Sequence, residues 1–181
     1  MMNLERLERV IIDTIMEDQI KLGYEKETIR LYYPMASLES LLQLDKTGDV
    51  ERLLVVLHEF CSFVKDRLGE IAISHKGNRF CLGIPAVGVE YVHNHVEMNS
   101  FWKELIDLIG SHTESMEDIL ALFRKYYANV VCLNSSIPDF DYVIFDDSQT
   151  ENCYYYCFKQ EGVHITYHRF LKEDYDALGV Y

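Results

Sequence analysis

"VERLLVVLHEFCSFVKDRLGEIAISHKGNRFCLGI", residues 50–84, changes its hydrophobic period at Gly69, and that change decides the fold class. Before it, Val50, Leu53, Leu54, Leu57, Phe60, Cys61, Val64 and Leu68 recur at steps of three and four, the stripe of an amphipathic helix. Asp49 stands at the N-cap position and Gly69 at the C-terminal stop. After it the period is two: "EIAISH" and "RFCLGI" flank "KGN", the pattern of a β-hairpin. A helix that feeds a hairpin is not a βαβ unit, and no βαβ alternation follows elsewhere. An α+β fold is therefore expected, not a doubly wound parallel sheet.

Toward the N-terminus, "LERLERVIIDTIMEDQIKLG" holds Leu4, Leu7, Ile11, Ile15 and Leu22 on one helical stripe, with Gly23 as its stop. "YEKETIRLYYP" reads as a further helical turn or two closing before Pro34, and Ser37 as the N-cap of a short helix, "LESLLQL". Toward the C-terminus, "NSFWKELIDLIG" is a helix capped by Asn99 or Ser100. The next begins near Ser115 with Asp118 in a capping box, and carries Ile119, Leu122, Phe123 and Tyr126 on one face. From Asn129 strands dominate: "NVVCL", "DYVIFD", "CYYYCFK" and "VHITYH", the last two joined through "QEG" as a hairpin, before a short closing helix in "FLKEDYDALG". The expected architecture is a helical N-terminal half with an inserted β-hairpin, then a strand-rich antiparallel part with a final short helix. No repeat or linker interrupts residues 1–181, so a single domain is expected.

Composition narrows the functional classes. Of 181 residues, 49% are hydrophobic and 26% charged, the balance of a globular chain rather than a disordered one. No run approaches the roughly 18 apolar residues of a membrane span. "MMNLERLERVIIDTIMED" mixes acids and bases from its fifth residue, unlike a signal peptide, so a cytoplasmic location is expected. Five cysteines, an odd number without C-x-x-C, read as reduced thiols inside apolar runs. Thirty acids against 17 bases leave a net charge of −13, which repels nucleic acid and anionic membranes and favours a basic protein partner.

Two constellations bear on chemistry. In "YVHNHVEMN", residues 91–99, His93, His95 and Glu97 alternate. On a strand all three project from one face, about 6 to 7 Å from one to the next, and two imidazoles with one carboxylate can hold Zn, Fe or Mn. On a helix His93 and Glu97 share a face at i and i+4, while His95 points nearly opposite. Pro85 with Val89, Val92 and Val96 favours the helix; Val87, Val89 and Tyr91 favour the strand.

The second is "CYYYCFKQEGVHITYH", with C-x3-C and H-x3-H on the two arms of a hairpin. A turn at Glu161 and Gly162 sets Phe158 opposite Ile165 and Tyr156 opposite Tyr167. Cys153, Cys157, His164 and His168 then share a face, but four residues of strand span about 13 Å, too far for one tetrahedral ion. A structural reading is stronger: Tyr154, Tyr156, Phe158, Ile165 and Tyr167 make an aromatic ladder, and Tyr155, His164 and His168 line the other face as a partner surface. "DDSQTE", residues 146–151, lacks the glycine and spacing of a calcium loop and reads as a solvated hairpin connection. His58-Glu59 has no second histidine four residues on, and no P-loop, dinucleotide fingerprint or G-x-S-x-G is present.

The segments "RFCLGIPAVGVEYVH" and "YYYCFKQEGVHITYHRF" resemble a family of small uncharacterised bacterial proteins of similar length. The resemblance implies a bacterial cytosolic protein without an assigned activity, and it transfers no functional residue. Two functions follow as expectations. The first is a non-enzymatic acidic interaction or regulatory module with a basic partner and no cofactor. The alternative is a metal-dependent enzyme or metal-binding protein using Zn, Fe or Mn at His93, His95 and Glu97. A small-molecule site between the hairpin and the helices is a third.

Overall fold

A computed structural model describes residues 2–112, 115–148 and 153–179. Among them are seven helices and seven strands, the strands in two antiparallel sheets, and the chain separates into two compact units, Met1–Met98 and Asn99–Tyr181. The fold is α+β, helical toward the N-terminus and strand-rich after residue 129, with a short closing helix.

The first unit is built around two nineteen-residue helices, α1 (Leu4–Leu22) and α3 (Val50–Leu68). Each starts on a side-chain cap: Asn3 accepts from the Arg6 amide, and Asp49 from the Arg52 amide. Each ends at a glycine with positive φ, Gly23 and Gly69. The expected stripes are buried at Leu7, Ile11 and Ile15 of α1, and at Leu53, Leu57, Phe60, Val64 and Leu68 of α3. Leu22 departs from its expected stripe and is 84% exposed, because it closes the final turn of α1, beyond the packed stretch.

Residues 29–34 correct the sequence reading. They form β1 (Ile29–Pro34), not a helical turn. "IRLYYP" is rich in β-branched and aromatic residues, and β3 (Arg79–Ile84) supplies the long-range partner that local periodicity cannot show. With β2 (Ala72–Lys76) the sheet runs β1-β3-β2, the expected hairpin turning at Gly77, φ 56°. The next helix, α2 (Met35–Leu41), starts earlier than expected, and Ser37 is buried within it rather than capping it. Its first amide is satisfied from outside the helix, the Met35 N–H donating to the Asn78 carbonyl of the hairpin turn at 2.7 Å.

The unit closes with α4 (Ala86–His95), which settles the ambiguous segment as helix. Pro85 sits at the N-cap with extended backbone, φ −68° and ψ 160°. Gly88, a poor helix former, stands in the first turn for a steric reason. A Cβ at that position would lie 2.4 Å from the Leu68 carbonyl oxygen and 3.0 Å from Cγ2 of Ile84. The glycine thus brings the backbone of α4 against the end of α3, and Val89 and Val92 are buried beside it.

The second unit is a four-stranded meander with helices over it. Helix α5 (Ser100–Gly110) is capped by Asn99, and α6 (Met116–Tyr126) by Ser115 in a capping box with Asp118. The strands are β4 (Val130–Asn134), β5 (Tyr142–Asp146), β6 (Tyr154–Glu161) and β7 (His164–Leu171), paired in that order. On one face Phe101, Trp102 and Phe123 of the helices meet Tyr156 and Phe158; the buried Trp102 Nε1–H donates to the Tyr156 hydroxyl at 2.7 Å.

On the other face Val143, Phe145, Tyr155 and Cys157 form a second cluster with Ile137 and Tyr175 of α7 (Lys172–Leu178). A sheet packed on both faces explains the unbroken apolar runs "YVIF" and "YYYCF", which alternation alone would not produce. Burial pushes the Cys157 thiol up to about 12, and burial with the nearby Asp146 pushes Cys153 up to about 11.

The last hairpin turns one residue later than expected, at Gly162 and Val163, because Glu161 pairs with His164. Gly162 carries the positive φ, 64°. The register moves by two, so Phe158 faces Tyr167, Tyr156 faces Arg169 and Tyr155 faces Phe170. A two-residue shift keeps every side chain on its expected face, since side chains alternate with period two. The aromatic ladder therefore survives, with Tyr167 ring-packed on both Tyr156 and Phe158.

Candidate functional site

The residues of "YVHNHVEMN" occupy the end of α4 and the chain beyond it. His93 leaves the helix toward the end of α1 and stacks on Tyr24, ring centroids 4.0 Å apart and 7° from parallel. His95 stacks instead on Tyr91, at 5.0 Å. Val96 ends the helix in extended backbone, φ −101° and ψ 128°, so Glu97 lies past it and loses the i, i+4 relation to His93. The strand on which a three-ligand site depended is absent. Among the described residues no group of three His, Cys, Asp or Glu is placed to share a metal ion. The geometry therefore gives Zn, Fe or Mn at His93, His95 and Glu97 no support. Elemental analysis of the chain, purified without added metal and then dialysed against zinc, is expected to find no stoichiometric ion that His93→Ala removes.

Two recesses lie along the end of α1, both lined by Gln19, and His93 lines one of them. The Gln19 side-chain amide donates to the Val89 carbonyl at 3.0 Å, tying the last turns of α1 to the start of α4. One recess, about 120 Å³, is lined by Met16, Ile20, Tyr24, Val92, His93 and Met98. Its walls are mostly apolar, with Gln19, Tyr24 and the imidazole as its polar groups. The other, about 250 Å³, has Leu22, Ile29 and Val89 on its walls and Asp18, Glu25 and Glu27 around it. Beside it Lys26 is held by Glu90 at 2.9 Å, and that hydrogen bond, with the charge of Glu90, raises the Lys26 pKa. An acidic rim over aliphatic walls is complementary to a lysine or arginine side chain, whose stem is apolar and whose head is cationic.

Sequence reading missed this recess. Its parts lie about 60 to 70 residues apart, and only the three acids in "YEKETI" and at Asp18 hint at it. That segment was expected to be helical, which would have spread the same carboxylates differently.

The C-terminal candidates separate. Tyr155 is 8% exposed, stacked on Phe145 at 4.1 Å inside the second cluster, so it offers no partner surface. Its burial follows from α7 and the segment near Ile137, which cover the face expected to be open. His164 and His168 are exposed, the first in ring contact with His112 at 5.1 Å, the second with Phe170 at 4.3 Å. All five cysteines are free thiols; Cys157 is directly opposite His168 but fully buried. In "DDSQTE", Asp146 is buried and accepts from the Ser148 amide and hydroxyl at 3.0 and 2.7 Å; residues 149–151 lie outside the described ones.

The fold and this site define a small acidic α+β protein with a helical unit and a four-stranded meander. Residues 4–179 match a family model described as a domain of unknown function, named from an E. rectale gene description. The chain belongs to that family, DUF3877, in accord with the resemblance to uncharacterised bacterial proteins. Neither the curated proteins nor the solved structures contain a significant match. No helix among the described residues is long and apolar enough to cross a membrane.

Proposed function

We propose that the chain is a non-enzymatic acidic module that binds a basic protein segment at the recess bounded by Asp18, Glu25 and Glu27. The observation that carries this reading is the combination in one recess of three carboxylates with the apolar walls of Leu22, Ile29 and Val89. The wider charge distribution supports it. Among the described residues at least seven lysines hold carboxylate partners, including Lys21 with Glu17, Lys65 with Glu70 and Lys125 with Glu104. Thirty acids against 17 bases leave a surplus that pairing inside the chain cannot neutralise. That surplus raises the local concentration of cationic partners and speeds their encounter. A cytoplasmic location belongs to the same proposal, supported by the five free thiols. So does a single domain, supported by a family match that runs through both units.

A fluorescent lysine-rich peptide is the probe. Its binding, read by anisotropy, should weaken steeply between low and physiological salt, since exposed charges are screened within a Debye length of about 8 Å at 0.15 M. Glu25→Lys with Glu27→Lys should weaken it about tenfold or more, each lost contact being worth roughly 0.5–1 kcal/mol. Glu59→Lys with Glu51→Lys, exposed on α3, makes the same change in net charge and serves as the control. Equal losses from the two double variants would reduce the recess to one patch of a diffuse field, and no binding at low salt would end the reading.

A further inference from the structure

We infer that the free edge of β4 is a self-association surface, at which two copies of this chain pair β4 against β4 across a two-fold axis. This does not depend on the basic-partner reading. Strand β4 lies at the end of the second sheet, with β5 on one side and no strand of the described residues on the other. Its register shows which groups face outward. Asp147 N–H donates to the Asn129 carbonyl and Ser135 N–H to that of Asp141, so the odd-numbered residues bond to β5. The backbone N–H and C=O of Val130, Cys132 and Asn134 therefore point away from β5, ready to pair with another strand.

The other sheet edges carry residues that discourage such pairing. Strand β1 has Arg30 and Pro34, β2 has Lys76 and β7 has Arg169. Strand β4, "VVCLN", has neither a charge nor a proline, and it sits inside residues 126–138, the longest stretch of the chain without Asp, Glu, Lys or Arg. In a molecule of net charge −13 this is where a second copy meets least repulsion.

The occupant is a second copy because β4 is self-complementary about Cys132. Antiparallel pairing centred there sets Val131 opposite Leu133 of the second copy, twice, and Cys132 opposite Cys132. Leu133, now 54% exposed, would be covered, extending the apolar face that already holds Val131, Val143 and Phe145. The outward-facing Cys132 pair would have its Cα atoms about 5.5 Å apart. That lies within the roughly 4.4–6.8 Å range a disulfide tolerates.

Sedimentation equilibrium of the full chain at micromolar concentrations should show a dimer. Leu133→Lys, at an exposed position, should weaken it at least tenfold. As an independent arm, diamide should link the two Cys132 thiols, taking up their two electrons and two protons as it is reduced to the hydrazine. The product is a covalent dimer that dithiothreitol reverses and that Cys132→Ser cannot form. A chain that stays monomeric at every concentration overturns the proposal, as does a dimer unaffected by Leu133→Lys or one that diamide fails to link through Cys132. A monomer that instead takes up a strand from another protein would also overturn it.

Discussion

Gly88→Ala should lower the unfolding free energy by about 2 kcal/mol or more, although glycine within a helix is normally the poorer residue. Intrinsic helix preference favours alanine over glycine by about 1 kcal/mol. At Gly88 that gain is outweighed, because the added methyl carbon would stand 2.4 Å from a backbone oxygen of Leu68 and 2.9 Å from its carbonyl carbon. Backbone atoms at the end of a packed helix cannot swing aside as a side-chain tip does. Overpacking of this kind costs roughly 1–3 kcal/mol beyond the lost gain, through displacement of α4 from α3. Gly110→Ala is the matched control. Gly110 closes α5, has no positive φ and would place its Cβ in open space, so the same change there should be neutral or slightly stabilising. Urea unfolding followed by circular dichroism compares the two midpoints. Equal shifts of one sign would show that α4 does not depend on that close approach.

Phe123→Ala should cost more, about 3–5 kcal/mol, the usual range for deleting a buried phenylalanine. Phe123 is 1% exposed, and its ring meets Phe101 at 4.8 Å and Tyr156 at 5.1 Å in edge-on geometry, with Phe158 at 6.1 Å. Those contacts join α5, α6 and the sheet at one point, so the cavity left by alanine has walls on three elements and little freedom to collapse. A loss of that size is a large share of the 5–15 kcal/mol that holds a typical domain folded. Near-ultraviolet circular dichroism should lose the signal of the surrounding aromatics before the far-ultraviolet bands change. A variant with unchanged thermal midpoint would mean that this aromatic cluster does not bear the packing of the second unit.

Much of this fold was legible because its helices announce themselves locally. Asp49, Asn99 and Ser115 each accept an amide of the first turn, and Gly23 and Gly69 end α1 and α3, all from signals within four residues. What sequence reading missed depends on partners far along the chain. Residues 29–34 are a strand because β3, about fifty residues later, pairs with them. Ser37 is not a cap because the turn carbonyl of Asn78 satisfies the start of α2. Tyr155 is buried because the closing helix returns over its face of the sheet. The hairpin register slipped by two residues yet kept its faces, since periodicity fixes the face and only the turn fixes the register.

The candidate site follows the same division. His93, His95 and Glu97 drew notice by spacing, but spacing has meaning only once the element is known, and on α4 the two histidines stack on different tyrosines. The recess at Asp18, Glu25 and Glu27 has no local motif, because α1, the following loop and α4 must meet to form it.

The most direct test of the basic-partner account is a titration of the isotopically labelled chain with a lysine-rich peptide, followed residue by residue in amide chemical shifts. The largest changes are expected at residues 18–29 and around Val89, with Tyr24 and His93 responding through their shared stack. Shifts spread evenly over the acidic surface, or concentrated in the second unit, would contradict it.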